Sequence, residues 1–331
     1  MRCLVTGGAG FIGSHLVDRL VTDGHEVVVV DNLATGRREN LAQHEATGQV
    51  RLVMADVADH GAIRHCFEKV DWVFHLAALA DIVPSIREPL AYHRANVDGT
   101  ISVLEATRAA GAKRFVYAAS SSCYGLAEVH PTPETAPASP QYPYALTKWM
   151  GEQLTLFWQR LYQVPAVSLR FFNVYGPRAR TSGTYGAVFG VFLAQKLACR
   201  PFTVVGDGSQ SRDFTFVTDV VDAVVRAAQS DAVGEVFNVG TGEPQTIRRL
   251  VELLGGDVTH VPARPGEPLI TCADASKLRG RLGWTPKVSF ESGVATMLDN
   301  IEAWRAAPVW TEASVEDATR DWFRYLGRAA G

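Results

Sequence analysis

The chain has 331 residues, 47% of them hydrophobic, which is enough for a large buried core or two lobes. Its formal charge of −3 argues against a general binder of nucleic acid or membrane surfaces, and no apolar run is long enough to span a bilayer. The five cysteines, Cys3, Cys66, Cys123, Cys199 and Cys272, are scattered and form no Cys-x-x-Cys pair, which reads as free thiols in a reducing cytoplasm.

The first predicted element is a short buried strand, Cys3-Leu4-Val5. A glycine-rich stretch follows at once, so this apolar run is not read as a signal peptide. Three glycines recur as Gly7-x-x-Gly10-x-x-Gly13, and Phe11, Ile12, Leu16, Val17 and Leu20 then follow at helical period. The glycines therefore sit on a strand-to-helix turn, where a phosphate-binding loop belongs. Gly7 permits the tight turn, Gly10 lets the backbone approach a pyrophosphate, and Gly13 lets the helix pack on the strand. The helix start offers free N–H groups and a partial positive charge to the phosphates. A second strand, residues 26–30, ends at Asp31, about 20 residues after the loop, where a dinucleotide fold carries its ribose-binding acid. Glycines punctuate many turns that bind nothing. Here strand, loop, helix, strand and terminal acid occur in order, and that order points to a dinucleotide.

Strand and helix go on alternating. Residues 50–54, 71–78, 114–119 and 166–171 read as strands, and 92–110 and 144–161 as helices, with a Pro- and Thr-rich loop over 128–143. This alternation predicts a Rossmann-type α/β fold, a doubly wound parallel sheet with helices on both faces and ligands at the carboxyl ends of its strands. After Pro177 the texture becomes turn-rich, with a polar loop at 178–183, a Gly-Asp-Gly turn within 202–213, and prolines at 262, 265, 268 and 286. Those units predict a smaller α/β substrate-binding lobe, while residues 234–240 read as one more strand returning to the main sheet. The expected division is 1–177 plus about 214–242 for the dinucleotide domain, and 178–213 with 243–331 for the lobe. The tail from Pro308 carries Trp310 and Trp322 on an expected amphipathic helix, read as packing.

Tyr144-Ala145-Leu146-Thr147-Lys148 is the second informative stretch. Residues four apart share a helix face, so the Lys148 ammonium can sit near the Tyr144 hydroxyl. A tyrosine acting as a base near pH 7 needs its pKa lowered by roughly three units, about 4 kcal/mol, which an ammonium and a positive nicotinamide ring can supply. Alone, Tyr-x-x-x-Lys is usually a solvated helix face. Ser120-Ser121-Ser122, however, follows the 114–119 strand at the edge where the ligand should lie. A serine there can bond a substrate hydroxyl and relay its proton to Tyr144. Together the three features favour hydride transfer to a nicotinamide.

With these residues in place, the sequence resembles the extended short-chain dehydrogenases/reductases, specifically the NAD-dependent nucleotide-sugar epimerase/dehydratase group. The likeness runs from the Gly7 loop to Leu282-Gly283-Trp284. It includes Asp31, Asp56-Val57, His75-Leu76-Ala77-Ala78, Asn96, Ser120, Tyr124-Gly125, Tyr144/Lys148, the stretch from Arg170 to Pro177, Gly206-Asp207-Gly208, Arg212-Asp213-Phe214 and Arg264-Pro265-Gly266-Glu267. The resemblance implies a catalytic set of Ser120, Tyr144 and Lys148. It implies NAD held by Gly7, Gly10, Phe11, Ile12, Gly13, Asp31, Asn32, Asp56, Val57, Leu76, Ala77, Ala78, Asn96, Tyr144 and Lys148, with Asp56 and Val57 flanking the adenine and Lys148 on the nicotinamide ribose. For the substrate, a nucleotide (UDP-) sugar, it implies Ser120, Ser121, Ser122, Tyr144, Asn173, Arg180, Thr181, Arg212, Arg264, Glu267 and Thr271. Arg212 and Arg264 would grip the diphosphate with Asn173, since a planar guanidinium matches phosphate oxygens. Glu267 would accept from the nucleotide ribose. Arg180, Thr181 and Ser182 would face a C6 group, although a plain loop fits them equally. Thr271, seven residues after Arg264, falls at a position that gates the sugar pocket, where a small side chain leaves room for an acetamido group. Cys123 is read as packing, and no metal is expected.

The implied reaction is epimerisation at C4. Tyr144, helped by Ser120, takes a hydroxyl proton, the carbon's hydride goes to NAD⁺, and the 4-keto sugar turns over before hydride returns to its other face. UDP-glucose/galactose, their N-acetyl forms and UDP-glucuronate are all open as substrates. The rivals are a 4,6-dehydratase or a UDP-glucuronate decarboxylase. Those relatives carry acidic residues just after the strand-end serine or threonine, where this chain has Ser121 and Ser122, so elimination by acid–base chemistry is poorly supported. A regulator that senses NAD without chemistry is opposed by the intact Tyr144/Lys148 pair. The resemblance further implies a cytoplasmic homodimer joined through the helices near 92–110 and 144–161.

Overall fold

The structure, a computed structural model, describes residues 1–179 and 187–327. Arg180, Thr181 and Ser182 lie outside the described residues.

Runs such as Val27-Val28-Val29-Val30 are apolar on both sides, the signature of a strand covered on two faces. Seven such strands form one parallel sheet. They are β1 (Arg2–Thr6), β2 (Glu26–Asp31), β3 (Val50–Met54), β4 (Trp72–His75), β5 (Arg114–Ser120), β6 (Ala166–Phe171) and β7 (Val236–Val239), in the order β3-β2-β1-β4-β5-β6-β7. Side chains alternate between the faces. Val27 and Val29 join Leu16, Val17 and Leu20 of helix α1 (Phe11–Thr22) on one side. Val28 and Val30 join Val103 and Leu104 of helix α2 (Gly99–Ala110) on the other. The chain winds outward in both directions from β1, whose neighbours are β2 and β4. The loops after β1 and β4 therefore diverge and leave a crevice at the carboxyl edge, where ligands of open α/β sheets bind.

The helix expected over 92–110 is broken into parts. A short helix, Pro89–His93, passes through one π turn, Arg94–Asp98, into α2. The wide turn holds Asn96, and such turns often mark working sites. Helix α3 (Pro143–Tyr162) starts one residue before Tyr144 and packs against β5 and β6.

After β6 the small units build a second core, in which Tyr175, Phe189, Phe192, Phe202, Phe214, Phe216, Phe290 and Trp304 are buried together. Three two-stranded ladders frame it, pairing Asn173–Tyr175 with Phe214–Phe216, Phe202–Val205 with Val258–Val261, and Ser211–Arg212 with Gln245–Thr246. Between them, helix α4 (Val217–Gln229) packs Val220 and Val224 back onto the main sheet's core beside α1. The last helix, α5 (Glu312–Leu326), is shorter than expected. It begins after Trp310, so only Trp322 lies on it.

Candidate active site

A groove of about 570 Å³ opens at the carboxyl edge of the sheet. Gly7, Gly10, Phe11, Ile12, Gly13, Asp31, Asn32, Asp56, Val57, Leu76, Ala77, Ala78, Tyr144 and Lys148 all line it. Its floor accepts only glycine. Gly7 has φ +70°, and a Cβ there would sit 2.7 Å from the Ala77 nitrogen, while a Cβ on Gly13 would overlap the Gly7 carbonyl oxygen. Gly10 is the N-cap of α1, and no side chain caps that helix, so its first N–H groups are left to a ligand. A bare, uncapped helix start beside a buried carboxylate fits a dinucleotide. Asp31 is 7% exposed and accepts from two backbone groups, the Ala9 N–H at 3.0 Å and the Leu33 N–H at 2.8 Å. Burial pushes its carboxyl up, and these two bonds oppose the rise.

A buried chain of hydrogen bonds holds the groove's far wall. Thr100 gives its proton to the Asn96 carbonyl (2.6 Å), so His75 Nε2 must be the donor to Thr100 Oγ1 (3.0 Å). Nδ1 of His75 is then an acceptor for the Thr6 hydroxyl (2.7 Å), which in turn accepts the Ala77 N–H at 3.2 Å. Burial pulls His75 down to about 3, with the Lys148 charge adding to the fall, so the ring is neutral. Asn96 belongs to this scaffold rather than to the wall. It is 1% exposed; its Oδ1 accepts the Leu79 N–H (2.8 Å), and its Nδ2 donates to the Leu79 carbonyl (3.0 Å) and to Thr147 Oγ1 (3.0 Å). With both amide hydrogens used inside the protein, Asn96 fixes the loop after β4 to α3 and, unlike the other residues expected to hold the cofactor, does not line the groove.

Ser120 ends β5, and its Oγ accepts from Ser122 Oγ (2.8 Å) and from the Ser122 N–H (3.2 Å). The Ser120 hydroxyl also hydrogen-bonds the Tyr144 phenol. Lys148 is 5% exposed, with its Nζ 4.5 Å from the centre of the Tyr117 ring. Burial lowers that ammonium to about 7, against the attraction of Glu152. The drop expected for Tyr144 is absent from the chain itself. Burial pushes the phenol up, the Ser120 bond opposes this, and the negative charge of Asp81 adds to the rise. Asp81 was missed in the sequence. It lies on the groove wall in the loop after β4, which carries no motif.

Asn173, Arg212, Arg264, Glu267 and Thr271, five of the residues expected to hold the substrate, lie in one group on the side of the serines. Arg212 is 8% exposed; its Nη2 lies 2.7 Å from Glu267 Oε1, while Arg264 Nη1 lies 3.8 Å from Glu267 Oε2. One carboxylate thus holds two guanidinium groups side by side. Thr271 Oγ1 donates to Asn173 Oδ1 at 2.8 Å and accepts the Asp213 N–H at 3.2 Å, which ties it to the Asn173 amide. Tyr142 is a second residue that sequence reasoning passed over. Its ring is parallel to that of Tyr144, with centres 6.4 Å apart and planes at 10°. Its hydroxyl bonds Ser122 near Arg212 and Glu267, and burial pushes it upward. Arg170, matched only as part of a motif, forms a two-pronged buried pair with Glu152, Nη2–Oε1 at 2.6 Å and Nε–Oε2 at 3.0 Å. It is a strut under the site rather than part of it.

Comparison with known proteins gives concordant findings. The family model described as GDP-mannose 4,6 dehydratase matches residues 4–297. UDP-glucose 4-epimerase from Mycolicibacterium smegmatis is 40% identical over 90% of this chain and 98% of its own length. The crystal structure of UDP-glucose 4-epimerase with UDP-glucose from Thermotoga maritima superposes with a TM-score of 0.86 at 35% identity, covering 92% of this chain and 99% of that one. UDP-glucuronic acid 4-epimerase from Bacillus cereus, solved with UDP-glucuronic acid and NAD, gives 0.85 at 31% identity over 92% and 99% of the two chains.

Proposed function

The chain belongs to the NAD-dependent sugar epimerase/dehydratase family of the short-chain dehydrogenases/reductases, and from that premise we propose that it is a UDP-sugar 4-epimerase. The observation that carries this reading is the hydroxyl cluster of Ser120, Ser122 and Tyr144 at the end of β5, beside a dinucleotide groove. Bound NAD supplies a hydride acceptor and donor for the sugar's C4. The protein's own part is to move a proton and hold the substrate. Ser120 accepts from the C4 hydroxyl in place of its bond from the Ser122 hydroxyl and relays the proton to the Tyr144 oxygen, which takes it as the phenolate and later returns it. Lys148, buried against the Tyr117 ring four residues beyond Tyr144, supplies local positive charge in its protonated form. Arg212 and Arg264, held by Glu267, grip the diphosphate while the sugar turns, and Asn173 with Thr271 borders the sugar. Arg180 and Thr181 stay proposed contacts for a C6 group.

The family also contains dehydratases, and the matched model carries that name. An eliminating enzyme needs an acid close to C5 and C6. At the end of β5 this chain offers the hydroxyls of Ser121 and Ser122; the groove-wall carboxylate whose charge bears on Tyr144, Asp81, belongs to the loop after β4 instead. The test is a panel of UDP-glucose, UDP-galactose, their N-acetyl forms and UDP-glucuronate, with products resolved by chromatography and mass. A product of unchanged mass and altered configuration is expected. Steady release of a dehydrated or decarboxylated sugar would overturn the epimerase reading.

Residues 1–177 with about 214–242 would form the NAD domain, and 178–213 with 243–331 the sugar lobe. The protein would act in the cytoplasm as a homodimer. Leu146, Phe157 and Leu161 support that dimer, being 42%, 42% and 54% exposed along one face of α3, an apolar stripe that a second copy would cover. A monomeric mass in solution would remove that part.

A further inference from the structure

We infer that the C-terminal helix is part of the nucleotide-sugar site, with Trp322 as a positioning residue for Arg264. The inference rests on reading Arg264 as a phosphate-binding group. Trp322 lies beyond residue 297, where the match to the family model stops. It is 5% exposed, and its indole Nε1 donates to the Pro265 carbonyl at 2.7 Å. The Arg264 guanidinium carbon sits 5.5 Å from the centre of that ring. On another side, the Tyr142 ring packs at 6.3 Å, and Tyr142 stacks in turn on Tyr144. An unbroken column thus runs from the catalytic tyrosine through Tyr142 and Trp322 to Arg264. The helix is also fixed to the other lobe. Arg87, on the short helix Ile82–Arg87 that follows Asp81, pairs with Asp321 at 2.6 Å.

The physical role follows from the two side chains. An arginine has many rotamers, and ordering it opposes phosphate binding. An indole held by burial and by its own hydrogen bond presents a fixed flat face, on which a guanidinium can wait already ordered. Because the same indole touches Tyr142, the grip on the diphosphate is set relative to the catalytic tyrosine. The column is specific to side chains that lie far apart in the sequence. Its parts are contributed by the start of α3, the 264–266 turn and α5.

The test measures UDP binding by calorimetry to the NAD-loaded protein, in a double-mutant cycle of Trp322→Ala and Arg264→Ala. Trp322→Ala is expected to weaken UDP by about 10-fold in the natural background, in line with one ordered cation–π contact, and by less than about twofold once Arg264 is gone. NAD affinity should not move. Trp322→Phe keeps a ring but loses the N–H bond to Pro265, and is expected to cost about threefold; it replaces the alanine in the cycle if that variant does not fold. Equal losses with and without Arg264 would mean that Trp322 only stabilises the lobe, and no loss at all would mean that the column is idle. Either result overturns the inference while leaving the epimerase reading intact. A natural protein that fails to bind UDP would remove both.

Discussion

Asp31 should make the protein prefer NAD to NADP, and the structure allows the size of that preference to be worked out. Its carboxylate closes β2 at the groove wall and is 7% exposed, so its charge is poorly screened. A 2′-phosphate about 5 Å away would meet about 3 kcal/mol of repulsion per unit charge at an effective dielectric near 20. Arg37 is the nearby group that could relieve this, but its Nη2 is drawn 3.4 Å from the Ala179 carbonyl across the groove. Allowing for solvent and salt at the groove mouth leaves about 2–3 kcal/mol, or roughly 30- to 160-fold. The perturbation is Asp31→Asn, which removes the charge at constant shape. It also has a structural cost, because the two carboxylate oxygens accept from two different N–H groups, at Ala9 and Leu33. An amide has one oxygen, so one N–H would face an NH₂ group, at a cost of about 1–3 kcal/mol in stability. Dissociation constants for both cofactors, measured by calorimetry on protein stripped of bound nucleotide, should therefore converge in the variant while its unfolding midpoint falls. Equal constants in the natural protein, or a ratio untouched by Asp31→Asn, would refute the argument.

Tyr144→Phe should keep NAD affinity within about twofold yet lower turnover at least roughly 100-fold, the usual loss for a general acid–base group; near-normal turnover removes Tyr144 from the mechanism. His75 is pulled down to about 3 in the fold, whereas an unfolded histidine titrates near 6.5, so the unfolded state takes up the proton first and stability falls as pH drops below about 6.5. At about 1.4 kcal/mol per pH unit, roughly 2 kcal/mol should be lost by pH 5, and denaturant curves of His75→Gln should show a shallower acid slope if this residue is the cause. Thr271→Tyr should reduce turnover of a sugar with a bulky C2 group much more than that of UDP-glucose. A wild type that accepts the bulky sugar, with a Tyr variant that treats both alike, would show that Thr271 does not face the pocket.

What the sequence made legible is what the chain decides locally. The Gly7 loop, the strand ending at Asp31 and the Tyr144/Lys148 spacing each depend on residues within one strand–turn–helix unit, and each falls on the groove. Residues whose surroundings depend on distant partners were not legible in the same way. Asn96 matched a motif, yet its partners Leu79 and Thr147 lie 17 and 51 residues away and turn its amide inward. Tyr142 precedes a proline in what reads as a loop, and nothing local announces that it will stack on Tyr144. Trp322 read as packing, and it is buried, but its bond to the Pro265 carbonyl, 57 residues upstream, is written into no local pattern. The lowered Tyr144 was expected from the Lys148 ammonium together with a nicotinamide ring, but burial and the Asp81 charge act on the same hydroxyl, and neither is written into a spacing.

The proposed reaction also explains why so much buried polarity lies beneath this site. A 4-keto sugar that must present both faces to one hydride carrier has to rotate, so the parts that do not rotate must stay fixed to one another. In the proposed reaction those parts are the proton-handling pair at the edge of β5 and the arginines assigned to the diphosphate. Arg170 braces the first of these from below. Its two-pronged bond to Glu152 joins β6 to α3, four residues beyond Lys148, and its Nη1 donates to the Tyr124 hydroxyl at 2.7 Å. Tyr124 donates onward to Asn238 Oδ1 on β7, also at 2.7 Å. Buried ion pairs of this kind add little net stability over an apolar core, but losing one partner costs about 3–5 kcal/mol. Their use here is geometric. A hydrophobic replacement would pack β6 against α3 without fixing the angle between them, whereas the planar pair allows one orientation and so one place for Tyr144 and Lys148.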